Sequence, residues 1–195
     1  GIRMIIDFRS DRELVNYPTP PIATVQETKR IIILDSARDK AEHMLREKNA
    51  SGIEMILVLD YRRIIKNHQD DFREFFRILA TTDQLPLMYH CAAGKDRTGL
   101  ATYLLLIALG VSAEIARDDY LLSNIYLKPV AERYIREAEE AGNPNGEILR
   151  PLLEVREAYL DAAINEIGQH FGTVERFLTD GLHADLPALR RRYLT

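Results

Sequence analysis

Near the middle of the chain, a short apolar run at residues 86–90 leads directly into the polar segment Cys-Ala-Ala-Gly-Lys-Asp-Arg and then into a long apolar stretch. The run is predicted to be a buried strand, and residues 98–109 a helix that Gly110 ends in the left-handed conformation. A strand followed by a helix is the repeating unit of an α/β sheet, whose ligands lie outside the carboxyl ends of the strands. The pattern therefore predicts a binding site at residues 90–99, called here the signature loop.

Two further apolar runs, at residues 3–8 and 30–34, are predicted to be parallel strands of the same sheet. Apolar residues that recur at intervals of three and four, together with capping residues and breakers, predict helices at residues 51–80, 112–124, 129–141, 147–168, 173–182 and 185–194. The predicted fold class is α/β, a parallel sheet flanked by helices with a helical C-terminal half. A length of 195 residues, of which 46% are hydrophobic, suits one domain over residues 1–195.

Composition excludes several classes of partner. The formal net charge of −4 argues against a broad basic face for nucleic acid, so no nucleic-acid partner is expected. The longest apolar run, residues 104–109, is far shorter than the roughly 20 residues of a membrane-spanning helix, so no transmembrane segment is expected. Cys91 is the only cysteine, which excludes an internal disulfide and suits a reducing compartment.

The signature loop has the chemistry of a phosphate site. A phosphate monoester is a dianion, so its site needs several inward donors and a permanent positive charge. A strand-to-helix loop supplies backbone N–H groups, and the helix N-terminus adds its dipole. Gly94 permits backbone conformations closed to other residues, and Arg97 offers a planar charged fork. The predicted phosphate-binding residues are Ala92, Ala93, Gly94, Lys95, Asp96 and Arg97.

Cys91 stands at the entrance of this loop, where the same donors converge on its sulfur. Helix N-termini and neighbouring cations favour the thiolate over the thiol, so we expect Cys91 to be a thiolate near neutral pH and to act as the nucleophile. Thr98 is placed to donate its hydroxyl to the thiolate and to stabilise it as a leaving group. His90 is interpreted either as a brace behind the cysteine or as a satisfied core histidine.

Residues 90–99 also resemble the Cys-x5-Arg signature of the protein tyrosine phosphatase superfamily, in the form found in bacterial atypical tyrosine/serine phosphatases. The likeness extends to residues 1–13, to residues 119–124 and to the tail from Phe171, so it covers most of the chain. The resemblance implies a tyrosine phosphatase-like fold and a cysteine-dependent phosphatase that hydrolyses phosphotyrosine through a Cys91 thiophosphate. Phosphoserine, phosphothreonine and phosphoinositides are further implied substrates, so the expected partner is a phosphorylated protein or a phosphoinositide. No cofactor or metal is expected.

The resembled family usually carries a further N-terminal segment before the position of Gly1, and we expect this chain to lack it. The expected location is the cytoplasm, or the exterior for a secreted bacterial effector. The region between residues 34 and 51 is short compared with members that carry a helical lid, so no elaborate gate over the site is expected.

The general acid is open at this point, with three candidates. Asp96 lies in the signature loop, and the resemblance implicates its Lys-Asp pair in catalysis and in binding inositol lipid headgroups. Asp35 follows the second predicted strand, on the same edge of the sheet, and Asp60 lies within a helical pattern. The carboxyl that protonates the leaving oxygen can also activate water in the second step.

Three residues near the loop have two interpretations each. Asp7 and Arg9 share the predicted rim of the sheet and form either an ion pair that braces the loop or part of the catalytic machinery. Lys95 either contacts a second phosphate or faces solvent. The alternative function is a non-catalytic phosphate-binding module, a pseudophosphatase that reads phosphorylated partners.

Overall fold

The structure is a computed structural model that describes residues 1–34, 49–142 and 146–194. Three parallel strands form one sheet in the order β2-β1-β3, with β1 at Met4–Asp7, β2 at Glu27–Arg30 and β3 at Leu87–His90. The strands are in register with Ile5 of β1 between Thr28 and Met88. Helices surround the sheet and make up the C-terminal half, which confirms the predicted α/β fold.

The second strand lies earlier than predicted. The sequence pattern placed it at residues 30–34, whereas the ladder of β2 is at Glu27–Arg30. Ile31 and Ile33 are nevertheless buried, and their N–H groups donate to the carbonyls of Asp7 at 3.0 Å and Phe8 at 3.1 Å. The residues of β2 that pair with β1 are mostly exposed and polar, so they carry no apolar signal. The apolar run at residues 30–34 marked instead the part of this segment that is buried in the core.

The first helices follow the predicted order. Helix α1 is a short element at Asp11–Asn16, and the predicted helical region at residues 51–80 forms two helices, α2 at Ala50–Asn67 and α3 at Gln69–Thr81. Helix α4, at Arg97–Leu109, ends at Gly110, whose φ of 93° is in the left-handed region that favours glycine. The predicted helix end is confirmed.

The C-terminal half contains the remaining elements. They are α5 at Ala113–Leu121, α6 at Ser123–Glu140, a 3₁₀ turn at Gly146–Leu149, α7 at Arg150–Leu153, α8 at Glu157–Phe171, α9 at Val174–Arg176, a π-turn at Phe177–Gly181 and α10 at Leu186–Tyr193.

Two predicted boundaries in this half were wrong. Helix α6 begins at Ser123 rather than at residue 129, and Pro129 lies inside it on an exposed position. The predicted helix at residues 147–168 is divided at residues 154–156, between α7 and α8. Proline lacks a backbone donor and favours helix starts, which is why the sequence pattern placed a start at Pro129.

The core positions the carboxyl edge of the sheet. Phe8 at the end of β1 packs edge-on against Phe75 of α3, with ring centroids 5.4 Å apart, and Tyr89 of β3 packs against the same ring at 5.1 Å. Helix α2 packs along α8, and α4 packs against α5 and α10. In the described part of the chain, no helix combines the length and the low charge that crossing a bilayer requires.

Candidate active site

The signature loop joins the carboxyl end of β3 to the start of α4. Cys91 directly follows β3 and is buried, while Ala92, Ala93 and Gly94 are exposed. Gly94 has a φ of 72°, a conformation that side chains rarely tolerate. The end of β1 lies alongside, because the Phe8 N–H donates to the His90 carbonyl at 2.9 Å. The loop therefore sits over two neighbouring strand ends, as the α/β pattern predicted.

Arg97 is buried at the first turn of α4, with a relative exposure of 2%. Its Nη1 donates to the carbonyls of Phe8 at 3.3 Å and Ile33 at 3.2 Å. Its two terminal nitrogens also meet Glu13: Nη1 lies 2.9 Å from Oε2, and Nη2 lies 2.5 Å from Oε1. A buried guanidinium with this many acceptors is held in one orientation.

Glu13 is a site residue that the sequence prediction did not assign. It is the third residue of α1 and forms a capping box with Ser10, whose backbone N–H and hydroxyl donate to Glu13 Oε2 at 2.8 and 2.9 Å. Burial raises the pKa of Glu13, but hydrogen bonds from Arg97 and Ser10 and the charge of Arg97 outweigh this and lower it to about 2. The capping box was visible in the sequence, but it marks a helix start and says nothing about Arg97.

Asp7 and Arg9 form a buried ion pair at the end of β1. Arg9 Nη2 lies 2.7 Å from Asp7 Oδ2, and Arg9 Nε lies 2.9 Å from Oδ1. Burial raises the pKa of Asp7, but the hydrogen bonds from Arg9 bring it below its ordinary value. Arg9 Nη1 also donates to the Tyr17 carbonyl at 2.7 Å, and Nη2 donates to the Thr19 hydroxyl. The pair thus ties the strand end to the chain beyond α1, a bracing arrangement.

His90 and Thr98 lie at the two ends of the loop. His90 Nδ1 lies 3.0 Å from the Cys91 carbonyl, which accepts the hydrogen bond, and Nε2 is 3.9 Å from Asp7 Oδ2. These contacts place His90 behind the cysteine, between the loop and the Asp7 ion pair. The Thr98 hydroxyl oxygen is buried and has no hydrogen-bond partner within residues 1–34, 49–142 and 146–194.

Lys95 and Asp96 pair with each other. Lys95 Nζ lies 2.7 Å from Asp96 Oδ2 and 2.9 Å from Oδ1, and it also contacts the Glu154 carbonyl at 3.4 Å. Lys95 is only 4% exposed, so the interpretation that it faces solvent was wrong. The Asp96 side chain does not cap α4; its Oδ1 instead accepts a hydrogen bond from Tyr61 at 2.9 Å.

The other two acid candidates are placed differently. Asp60 is buried in the middle of α2, on a helix rather than on a loop that could move over a substrate. Asp35 lies outside the described residues. Asp96 is therefore the one acid candidate that the described structure places in the signature loop.

A buried cysteine and a buried arginine six residues apart lie at the two ends of a strand-to-helix loop, which is the arrangement expected of a Cys-x5-Arg phosphatase. A sequence model of the tyrosine phosphatase family matches residues 1–195. The chain belongs to this family. The predicted resemblance and the predicted enzyme class, a protein tyrosine phosphatase, are confirmed.

Three bacterial relatives illustrate the match. A protein of Cupriavidus necator, named as a candidate tyrosine-protein phosphatase, is 31% identical over 199 residues that cover 100% of this chain and 70% of the relative. The "Triple specificity protein phosphatase PtpB" of Mycobacterium tuberculosis is 31% identical over 105 residues, 49% of this chain and 38% of the relative. A tyrosine-protein phosphatase of Nostoc commune is 38% identical over 130 residues, 66% of this chain and 42% of the relative.

Proposed function

We propose that this chain hydrolyses phosphotyrosine through a covalent thiophosphate on Cys91. The observation that carries the proposal is the orientation of Arg97, which Glu13 and two backbone carbonyls fix at the end of the signature loop where α4 begins. A planar guanidinium that is already held in place binds a phosphoryl group without further ordering, which favours the transition state.

In the first step, the Cys91 sulfur attacks phosphorus, and the S–P bond forms as the ester P–O bond breaks. Loop N–H groups and Arg97 hold the nonbridging oxygens. The proposed phosphate contact is made by the guanidinium of Arg97, whose orientation Glu13 fixes through Nη1 and Nη2. The leaving oxygen takes a proton from the general acid, for which we propose Asp96.

In the second step, the Asp96 carboxylate takes a proton from water as the water oxygen bonds to phosphorus and the S–P bond breaks. This step returns the Cys91 thiolate and releases inorganic phosphate. The arrangement in the structure suits this half of the reaction, because Asp96 accepts hydrogen bonds from Lys95 and Tyr61, as a carboxylate does. The first half requires protonated Asp96, so we propose that Lys95 withdraws from it when substrate binds.

Phosphoserine, phosphothreonine and phosphoinositides are proposed as further substrates. The support is the name of the Mycobacterium tuberculosis relative, a triple specificity phosphatase. A phosphoinositide carries further phosphates near the reacting one, and Lys95 is a cation that could engage them once it leaves Asp96.

The test is a substrate panel of phosphotyrosine, phosphoserine and phosphoinositide, with vanadate inhibition and a Cys91→Ser variant. We expect vanadate-sensitive turnover that Cys91→Ser abolishes, while the variant still binds inorganic phosphate, measured as a shift in thermal unfolding. Near-normal turnover by Cys91→Ser would contradict the mechanism. A parent chain that binds phosphate without any turnover would instead be the phosphate-binding module.

The assignment of the acid has its own test. Asp96→Asn is expected to lower kcat on the order of 10²–10⁴-fold for poor leaving groups and less for an activated aryl phosphate. Asp35→Asn is the matched variant. If only Asp35→Asn shows the leaving-group-dependent loss, the acid is Asp35 and not Asp96.

A further inference from the structure

Two buried tyrosines form a hydrogen-bonded chain that ends on Asp96. The Tyr61 hydroxyl of α2 lies 2.9 Å from Asp96 Oδ1 and 2.8 Å from the Tyr120 hydroxyl of α5. Both rings are almost completely buried, and they pack edge-on with centroids 6.4 Å apart. Asp96 itself keeps some exposure, with 18% of its side chain accessible.

The direction of the hydrogen bonds in this chain follows from the chemistry of its members. Burial and the nearby Asp96 carboxylate raise the pKa of Tyr61 well above its ordinary value, and burial is also the main reason that the pKa of Tyr120 is raised. Both phenols therefore keep their protons. A carboxylate only accepts, so Tyr61 donates to Asp96, and Tyr120 donates to the oxygen of Tyr61. Each hydroxyl therefore donates to the next oxygen. Hydrogen bonds linked in this way polarise and strengthen one another.

Gly99 of the signature loop makes room for this arrangement. A Cβ atom at Gly99 would lie 3.0 Å from Cδ2 and 3.2 Å from Cε2 of Tyr120, closer than about nine in ten real Cβ contacts. The Tyr120 ring thus rests directly on the backbone of the first turn of α4. Three elements, α2, α4 and α5, converge on the carboxyl of Asp96.

We propose that Tyr61, supported by Tyr120, is a positioning residue for Asp96. The inference rests on the proposed function, in which Asp96 exchanges a proton with the leaving group and with water. Lys95 and Tyr61 share Oδ1 of Asp96, but Lys95 must withdraw for the first step, whereas Tyr61 is anchored in the core. Tyr61 is then the contact that keeps the carboxyl facing the leaving oxygen throughout the cycle. It touches no substrate atom itself.

The experiment is a double-mutant cycle with Tyr61→Phe and Asp96→Asn, read as kcat on aryl phosphates of differing leaving-group quality. We expect Tyr61→Phe to lower kcat about 10-fold on a poor leaving group and by less on an activated one, with unchanged inhibition by inorganic phosphate. In the Asp96→Asn background, Tyr61→Phe should cause no further loss, because it acts through Asp96. Losses that multiply, or an equal loss on all leaving groups, would overturn the inference.

Two further variants separate positioning from general packing. Tyr120→Phe removes only the second hydroxyl, and we expect the same dependence of kcat on the leaving group with a smaller loss. A folded Tyr120→Phe variant with the kcat values of the parent would contradict a role for the hydrogen bond between Tyr120 and Tyr61. Tyr159→Phe is the matched control, because Tyr159 packs 5.7 Å from Tyr61 but bonds the Pro151 carbonyl. It should retain the parent profile. If the parent enzyme itself shows no turnover, the proposed function is wrong and this inference fails with it.

Discussion

Glu13 and Arg97 meet as a two-point ion pair across 84 residues of sequence, with oxygen-to-nitrogen distances of 2.5 and 2.9 Å. The pair joins the first turn of α1 to the first turn of α4. Ser10 donates two hydrogen bonds to the same carboxylate. The orientation of Arg97, the proposed phosphate anchor, therefore depends on a helix that lies outside the signature loop.

Glu13→Gln should lower kcat/KM on the order of 10–100-fold. The variant replaces one carboxylate oxygen by an amide NH2 group, which cannot accept a hydrogen bond from the Arg97 guanidinium, so Arg97 is held less firmly. Steady-state kinetics and inhibition by inorganic phosphate measure the loss. Glu74→Gln is the matched control, since Glu74 pairs with Arg77 through two contacts of 2.6 and 2.7 Å on the exposed face of α3. Equal activity of the two variants would show that Glu13 does not orient Arg97.

The same carboxylate makes stability depend on acid pH. The pKa of Glu13 falls from 4.5 to about 2 on folding, so its stabilising contribution is complete above about pH 4.5 and is lost as pH falls toward 2. We expect the free energy of unfolding to drop more between about pH 5 and pH 3 in the parent than in Glu13→Gln. Urea titrations at the two pH values measure this difference, and parallel losses would argue against the ion pair.

Lys95→Ala should lower activity on phosphoinositides more than on phosphotyrosine, because the proposed function assigns the Lys95 charge to the further phosphates of a phosphoinositide. The variant leaves the Asp96 carboxylate without its ion-pair partner, which we expect to destabilise the fold by about 1–3 kcal/mol. The ratio of kcat/KM for the two substrate classes is the measurement, with Lys66→Ala at an exposed position of α2 as the control. Equal losses on the two substrate classes would show instead that Lys95 does not act on a second phosphate.

Gly99→Ala should destabilise the fold by about 1 kcal/mol, because contact with the Tyr120 ring outweighs the better helix propensity of alanine. Gly168→Ala is the counterpart within α8, where a Cβ would meet nothing within 4 Å. That variant should be stabilised by up to about 1 kcal/mol. Midpoints of urea unfolding distinguish the two, and a stabilised Gly99→Ala would mean that the ring yields easily.

The strand, loop and helix around Cys91 could be predicted from sequence because their signals are local. The apolar run before Cys91, the glycine at position 94 and the helix end at Gly110 each act on their own few residues. Their order along the chain is enough to place the loop at the edge of a parallel sheet.

The partners of the loop could not be predicted in this way. Glu13 lies in a capping box, and Tyr61 lies among apolar residues of α2. Helix capping and core packing are enough to explain these two patterns, so neither pattern indicates a contact with Arg97 or Asp96. Only the packing of α1, α2 and α4 around the sheet brings these side chains together. The start of α6 was missed because proline favours helix starts, whereas this helix continues through Pro129 at an exposed position.

The three described acceptors around the Arg97 guanidinium, from Phe8, Glu13 and Ile33, precede it by 89, 84 and 64 residues. Loops of this length cost chain entropy that is recovered only when the distant segments have docked, and such contacts slow folding. During synthesis, all three acceptors emerge well before Arg97 does. Affinity for phosphate should therefore arise late in folding, as a property of the assembled sheet and not of any fragment that ends before α4.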